Sequence, residues 1–228
     1  MLIKSHQELA DAIAGKKIMH LNSLGKDSVI SLEWLVKNAQ VEKIVSVFFD
    51  FIGFHPDDDR YWKYLKKRFP NVEFIREPNC LELSHIAAGR LQDPYHLMCE
   101  LNHWEFISFD FAKHVQDIKK KFDCDYVSYG NARYESVTRA SGFHKRGIIQ
   151  GDKIYPLGMM SKKAVYTAIE KSGIKLHPCY NLIPSTLDLP SYYRMRSTFI
   201  TNPDYKKRMY KLFPMLALDE YRYEVLLK

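Results

Sequence analysis

Three apolar runs separated by two amphipathic stretches fill the first third of the chain, and this alternation limits the fold more than any other feature. Lys17 to Asn22, Lys43 to Phe49 and Val72 to Ile75 read as strands. Val29 to Asn38, and Arg60 to Phe69 with Pro70 as its stop, read as the helices between them. Lys43-Ile44-Val45-Ser46-Val47-Phe48-Phe49 is nearly continuous in apolar residues rather than alternating, the pattern of a strand covered on both faces. Strand, helix, strand, helix, strand implies a parallel sheet with right-handed crossovers. Ahead of it, Ser5 to Ala14 predicts a short helix with a Ser5/Glu8 capping box and Gly15 as its end. Downstream, Tyr126 to Tyr129 predicts another strand, Ile148 to Pro156 a hairpin around Gln150-Gly151-Asp152, and Ser161 to Ser172 a helix capped by Ser161. Residues 80–121 read as mostly helical, interrupted by Gly89 and Pro94. Asp50 to Asp59 reads as a polar loop, and beyond Pro184 the pattern is turn-rich and then helical. The expected architecture is α/β, with a doubly wound, mostly parallel sheet over residues 1–183 and a basic, aromatic-rich helical extension over 184–228. With 228 residues, 46% of them hydrophobic, there is ample material for a core.

Several classes are set aside by composition. No apolar run approaches the ~18–20 residues that span a bilayer, so no membrane partner is expected. A charged residue and a histidine stand near the N-terminus where a secretory signal needs an apolar block, so a cytoplasmic protein is expected. Cys80, Cys99, Cys124 and Cys179 include no C-x-x-C pair, so neither a zinc ribbon nor an Fe–S cluster is expected. The nine histidines contain no H-x-x-x-H pair. The net charge of +7 suits an anionic partner. Lys66-Lys67-Arg68 and Lys119-Lys120-Lys121 fall at predicted helix ends, where cations complement the helix dipole. Arg194, Arg196 and Lys206-Lys207-Arg208 are interleaved with Tyr192, Tyr193, Tyr205 and Tyr210, a mixture that either grips nucleic acid or forms a solvated helical surface.

The chemically informative stretch is Ser23-Leu24-Gly25-Lys26-Asp27-Ser28, where an apolar strand hands over to a helix. A turn there aims backbone N–H groups and the helix N-terminus at one point, which favours an anion. Gly25 permits close backbone approach, Ser23 and Ser28 add hydroxyls, and Lys26 adds positive charge. Asp27 is the odd member beside a phosphate; it either holds Mg²⁺ or caps the helix. The spacing is not that of a Walker A loop.

Residues Ser23 to Ser28 resemble the S-G-G-K-D-S signature of the PP-loop, or adenine-nucleotide α-hydrolase-like, superfamily, with Leu24 in place of the first Gly. Three further segments resemble the phosphoadenosine phosphosulfate (PAPS) reductase branch, in the expected order. Phe48 to Asp57 is similar to its D-T-G-x-x-F-P-E-T element, with an extra residue between Asp50 and Gly53. Gly130 to Arg139 is similar to G-x-R-x-x-E-S-x-x-R, and Tyr155 to Val165 with Leu176 to Asn181 is similar to the following P-L-x-x-W-T-x-x-D-V and h-P-L-Y steps, with Met160 for the Trp and Ala164 for the Asp. The resemblance implies adenine nucleotide, ATP or PAPS, at the carboxyl ends of the strands. It places Ser23, Leu24, Gly25, Lys26, Asp27 and Ser28 on phosphate, Asp50 on ribose or base, and Gly130, Glu135 and Ser136 in the site. Lys26, Asp27, Arg133 and Arg139 become the candidate catalytic residues, with Asp27 the candidate Mg²⁺ ligand.

Sulfonucleotide reductases carry a C-terminal E-C-G-[IL]-H segment, which this chain lacks, and no cysteine follows Cys179. The chemistry implied instead is cleavage of ATP between the α and β phosphates to adenylate an acceptor, in nucleic-acid or sulfur-linked modification. Relatives without the reductive cysteine include phage-encoded and DNA-sulfur-modification proteins. The alternatives are a PAPS reductase with another thiol, Cys179 being the candidate, and a non-catalytic module for nucleotide or nucleic acid. His144-Lys145-Arg146 reads as a basic loop able to close over the substrate, and a homodimer is left open.

Overall fold

The computed structural model describes residues 2–50, 56–79, 110–181 and 192–226. Its six-stranded sheet has the order β3-β2-β1-β4-β6-β5, with β1 Lys17–Leu21, β2 Lys43–Asp50, β3 Glu73–Pro78, β4 Tyr126–Ser128, β5 Ile149–Gln150 and β6 Lys153–Ile154. β1 pairs parallel with β2 and with β4, β4 pairs parallel with β6, and only the β5/β6 hairpin is antiparallel. Three consecutive residues of β1 and five of β2 are buried, as strands covered on both faces require. The doubly wound α/β expectation holds.

The helices are α1 His6–Ile13, α2 Lys26–Asn38, α3 Pro56–Arg68, α4 Phe111–Lys121, α5 Val137–Arg146, α6 Lys162–Ser172, α7 Tyr192–Thr201, α8 Pro203–Leu212 and α9 Leu216–Tyr221. The Ser5/Glu8 capping box of α1 is present in both directions. Helix α2 begins at Lys26 rather than Val29, because Lys26, Asp27 and Ser28 form its first turn instead of extending the loop. Likewise α3 begins at Pro56, before Asp57, Asp58 and Asp59, all in its first turn, where Pro and acidic residues are favoured. His144, Lys145 and Arg146 are the last turn of α5 and not a loop; Gly147, at φ +76, ends the helix. A Cβ on Gly147 would meet the Ile3 carbonyl at 2.4 Å, so the residue admits no side chain on two counts.

The described residues fall into two compact units, with those of 2–49, 57–77 and 115–178 in one, and 50, 56, 78–79, 110–114, 179–181 and 192–226 in the other. The first is built on a core that includes Ile13, Ile18, Val29, Leu32, Leu65 and Ile154. The second has its own core of Tyr192, Met195, Phe199, Tyr205, Met209, Phe213 and Leu216. Among the described residues no helix is long and apolar enough to cross a membrane. The helices expected between residues 80 and 109, and the segment 51–55 with Gly53 and His55, lie outside the described residues.

Candidate functional site

Sequential strands run β1, β2, β3 outward on one side, and the chain then returns to place β4 on the other side of β1. In an open α/β sheet the crevice beyond the carboxyl ends of two such strands is where ligands bind. Here that crevice is formed by the residues following β1 and β4, Asn22 to Ser28 and Tyr129 to Glu135.

Asn22 organises the first segment. Its Oδ1 accepts the Leu24 N–H at 2.9 Å and lies 3.4 Å from Ser28 Oγ, while its Nδ2 donates to Ser46 Oγ at 3.1 Å. This Asx turn holds Leu24 at φ +59, a left-handed conformation that glycine adopts freely and leucine does not. Leu24 nevertheless buries its side chain, leaving 3% exposed. Gly25 is the N-cap of α2, and no side chain caps the helix. A helix start without a side-chain cap is the kind of place that favours an anion, and Lys26 stands in its first turn. Ser28 Oγ donates to the Gly25 carbonyl at 2.9 Å and lies 3.2 Å from Ser23 Oγ, tying the two ends of the loop.

Beneath the loop runs a row of polar residues inside the sheet. His20 is in register with Ser46 on β2 and with Ser128 on β4, and all three are fully buried. His20 Nε2 is 2.9 Å from the Ser28 carbonyl, and Nδ1 is 3.2 Å from Ser128 Oγ. A carbonyl only accepts, so Nε2 carries the hydrogen and Nδ1 accepts from the serine. Burial lowers the His20 pKa to about 4, which keeps the ring neutral and this tautomer in place at neutral pH.

From the β4 side, Gly130 presses against the loop. A Cβ there would lie 2.6 Å from Ser28 Cα and 2.7 Å from Ser28 N, a contact no side chain can make. After it, residues Arg133–Glu135 form a 3-10 turn. Glu135 accepts the Ala132 N–H at 2.7 Å and pairs with Arg139, and Ser136 caps α5 by accepting the Arg139 N–H at 3.1 Å. Glu135 and Ser136 thus hold the turn and the helix start together. Arg139 is anchored to Glu135, and Arg133 is exposed. Asp50 ends β2, where its carbonyl accepts the Asn79 N–H at 3.0 Å.

Within the loop, Asp27 receives two donors. Lys26 Nζ bonds one carboxylate oxygen and the Tyr134 hydroxyl bonds the other. Burial, then the bond to Asp27 and its charge, push the Tyr134 phenol far above its ordinary range, so it stays a donor. Among the described residues no group of three or more His, Cys, Asp or Glu is placed to hold a metal ion. Of the cysteines, Cys124 and Cys179 are buried, burial raises the Cys124 thiol, and Cys80 and Cys99 lie outside the described residues.

The structure therefore brings Ser23 to Ser28 together with Gly130, and gathers Glu135, Ser136 and Arg139 into a neighbouring brace. His20, Asn22, Ser128 and Tyr134 were missed by sequence reasoning. For His20 and Ser128 the available signal was a polar residue in the middle of an apolar strand.

The fold is that of a doubly wound α/β protein, with a strand-to-helix turn and a helix start without a side-chain cap at its switch point, the arrangement that the PP-loop resemblance implies. No protein-family model matches the chain, and no curated protein matches it in sequence. Among solved structures it is similar to the U34-tRNA thiolase NcsA from Methanococcus maripaludis with its 4Fe-4S cluster, at 13% identity and TM-score 0.49 over 96% of this chain and 78% of that one. It is also similar to phosphoadenylyl-sulfate reductase from Candida auris in a phosphate complex, at 14% identity and TM-score 0.48 over 78% and 84%. The NH3-dependent NAD synthetase from Campylobacter jejuni follows, at 12% identity and TM-score 0.48 over 95% and 88%. These are likenesses of fold alone.

Proposed function

We propose that this chain is a PP-loop enzyme of the PAPS reductase-like kind that cleaves ATP between the α and β phosphates and transfers the adenylyl group to an acceptor in nucleic-acid or sulfur-linked modification. The observation that carries the reading is the uncapped N-terminus of α2 at the switch point, with the bare backbone of Gly130 closing one side of it. An acceptor oxygen would attack the α-phosphorus; the bridging P–O bond to the β-phosphate would break, and its electron pair would leave on pyrophosphate. The work of the protein is positioning and charge neutralisation. Lys26, the first-turn N–H groups of α2, Ser23 and Ser28 would take the pyrophosphate. Arg133 and Arg139 would meet charge on the α and β phosphates.

Asp27 is the carboxylate of the loop and fits Mg²⁺ in the usual way for that ion, which takes one or two carboxylates and otherwise phosphate and water. Magnesium bound there would neutralise phosphate charge. Asp50 would face the ribose or base. A nucleic-acid acceptor would find exposed cations in the C-terminal unit at Lys207, Arg208 and Lys211 on α8; Lys207 also lies 3.7 Å from Asp204, Arg196 pairs with Glu224 and Lys206 with Glu220. The test is incubation of the full chain with Mg²⁺ and ATP labelled in the α-phosphate. Label in AMP or an adenylated acceptor, with pyrophosphate released unlabelled and lost on Lys26→Ala, is the expected result. Binding of ATP without turnover under any acceptor would leave a nucleotide-binding module in its place.

A further inference from the structure

Tyr134 sits between Arg133 and Glu135, yet it is the tyrosine that reaches the phosphate loop. Its hydroxyl donates to one oxygen of Asp27, Lys26 Nζ holds the other, and that same Nζ stands 5.8 Å from the centroid of the Tyr134 ring. Lys26 and Asp27 side chains are each only 17% exposed. Resting on the adenylation reading and deepening it, we propose that Tyr134 is a positioning residue that keeps Asp27 in place while Lys26 leaves the carboxylate for the phosphates of the nucleotide.

The argument is one of charge. In the arrangement seen, Lys26 is neutralised by its neighbour, so an anion arriving at α2 must draw the ammonium away from Asp27. A carboxylate then left without a donor would stand within one helical turn of the phosphates, and two anions at that range repel strongly in a partly desolvated site. The phenol removes that difficulty. A phenol is neutral at pH 7, carries no charge of its own to compete for the ligand, and can donate to Asp27 whichever partner Lys26 has taken. The chain approaches closely enough for this because Gly130 lies against the loop without a side chain. A phenylalanine would keep the ring beside Lys26 and remove only the donor. Asp27 would then depend on Lys26 alone, and the lysine would be held back from the ligand.

The probe is inorganic pyrophosphate, titrated calorimetrically into the full chain. Without metal, Tyr134→Phe weakens pyrophosphate about tenfold, the scale of a lost hydrogen bond to a charged group. In an Asp27→Asn background the same substitution changes affinity by less than about twofold, because the carboxylate it serves is gone. Asp27→Asn alone tightens metal-free pyrophosphate, since it releases Lys26, and this second variant decides the matter if Tyr134→Phe does not fold. Tyr210→Phe, which removes a phenol from a similar Tyr–carboxylate–Lys group in the C-terminal unit, leaves the affinity unchanged. Binding by the wild type with no loss in Tyr134→Phe overturns this inference alone, as does an equal loss in the Asp27→Asn background. A wild type that binds neither pyrophosphate nor ATP overturns the nucleotide reading and takes this inference with it.

Discussion

The same three side chains meet in two places in this molecule. In the first unit a tyrosine hydroxyl and a lysine share Asp27, and the lysine stands 5.8 Å from the ring of Tyr134. In the second, Tyr210 and Lys206 share Glu220, and Lys206 stands 5.2 Å from the ring of Tyr210. The surroundings differ. Around Glu220 the pattern continues: Tyr192 and Arg196 both bond Glu224, and Lys206 also lies 6.0 Å from the Tyr192 ring. Those cations and acids answer one another over an aromatic core of their own. Around Asp27 the pattern stops at the uncapped start of α2, with a strained residue before it and a bare glycine against it. A Tyr–carboxylate–Lys group is therefore no sign of a site by itself; what sets the Asp27 group apart is the helix start beside it, at which the N-cap is a glycine and supplies no side-chain cap.

The largest effect is expected where that opening is closed. Gly130→Val places atoms inside contact distance of the Ser28 backbone, and backbone cannot swing aside as a side chain does. The substitution should cost about 3 kcal/mol in urea unfolding and abolish pyrophosphate and ATP binding, leaving the Glu220 group untouched. A variant that melts with the wild type and still binds would mean that the β4 segment does not close the loop.

Next comes the support beneath the loop, which has no counterpart in the C-terminal core. His20 titrates near 4 in the fold because burial disfavours the imidazolium, against ~6.5 when unfolded. Between those values the unfolded chain binds the extra proton, so stability is full above ~6.5 and falls as pH drops toward 4. The ceiling of this loss is about 3 kcal/mol. Urea midpoints measured from pH 7 to 4.5 should show the slope in the wild type and a shallower one in His20→Gln. An unchanged slope in the variant would assign the acid loss to other groups.

Much of this was legible in the residues. The order of apolar runs predicted the parallel sheet, and the position of Ser23 to Ser28 after the first of them predicted the turn that leads from β1 into α2, because strand periodicity and turn chemistry are local. What escaped was non-local. Tyr134 finds Asp27 across 107 positions, and the flanking Arg133 and Glu135 drew the attention that belonged to it. His20 finds Ser128 across 108, since strand register decides which polar residues share a layer. The start of α2 was set three residues late because Lys, Asp and Ser read equally well as loop. In the C-terminal unit the basic-aromatic run left two readings open, and the ion pairs of Arg196 with Glu224 and Lys206 with Glu220 could not be read from it, because those glutamates come later in the chain and carry no motif.

The opposite arm of the comparison is Glu220→Gln. It leaves Lys206 and Tyr210 without their charged acceptor in a partly buried cluster, so unfolding should become easier by about 2 kcal/mol with pyrophosphate binding unaltered. Asp27→Asn should show the reverse balance, a small change in unfolding and a clear change in anion affinity. If both variants change stability alike and neither changes affinity, the two groups are equivalent, and the loop has no privileged role.

The smallest effect concerns Leu24, which trades backbone strain for burial. Its left-handed φ costs about 1 kcal/mol relative to glycine, while its side chain, 3% exposed, recovers more than that by leaving water. Truncation should therefore destabilise in either form, but in an unusual order. At an ordinary position glycine is worse than alanine by ~0.4–1 kcal/mol because it loosens the unfolded chain. At φ +59 alanine keeps the strain and glycine loses it. Leu24→Gly should thus unfold at a higher urea concentration than Leu24→Ala, by up to about 0.6 kcal/mol, the ~1 kcal/mol of strain relieved less the ~0.4–1 kcal/mol that glycine gives to the unfolded chain. The usual order, with alanine the more stable, would show that residue 24 does not hold the left-handed turn, and the loop would lose the feature that separates its backbone most clearly from that of the C-terminal cluster.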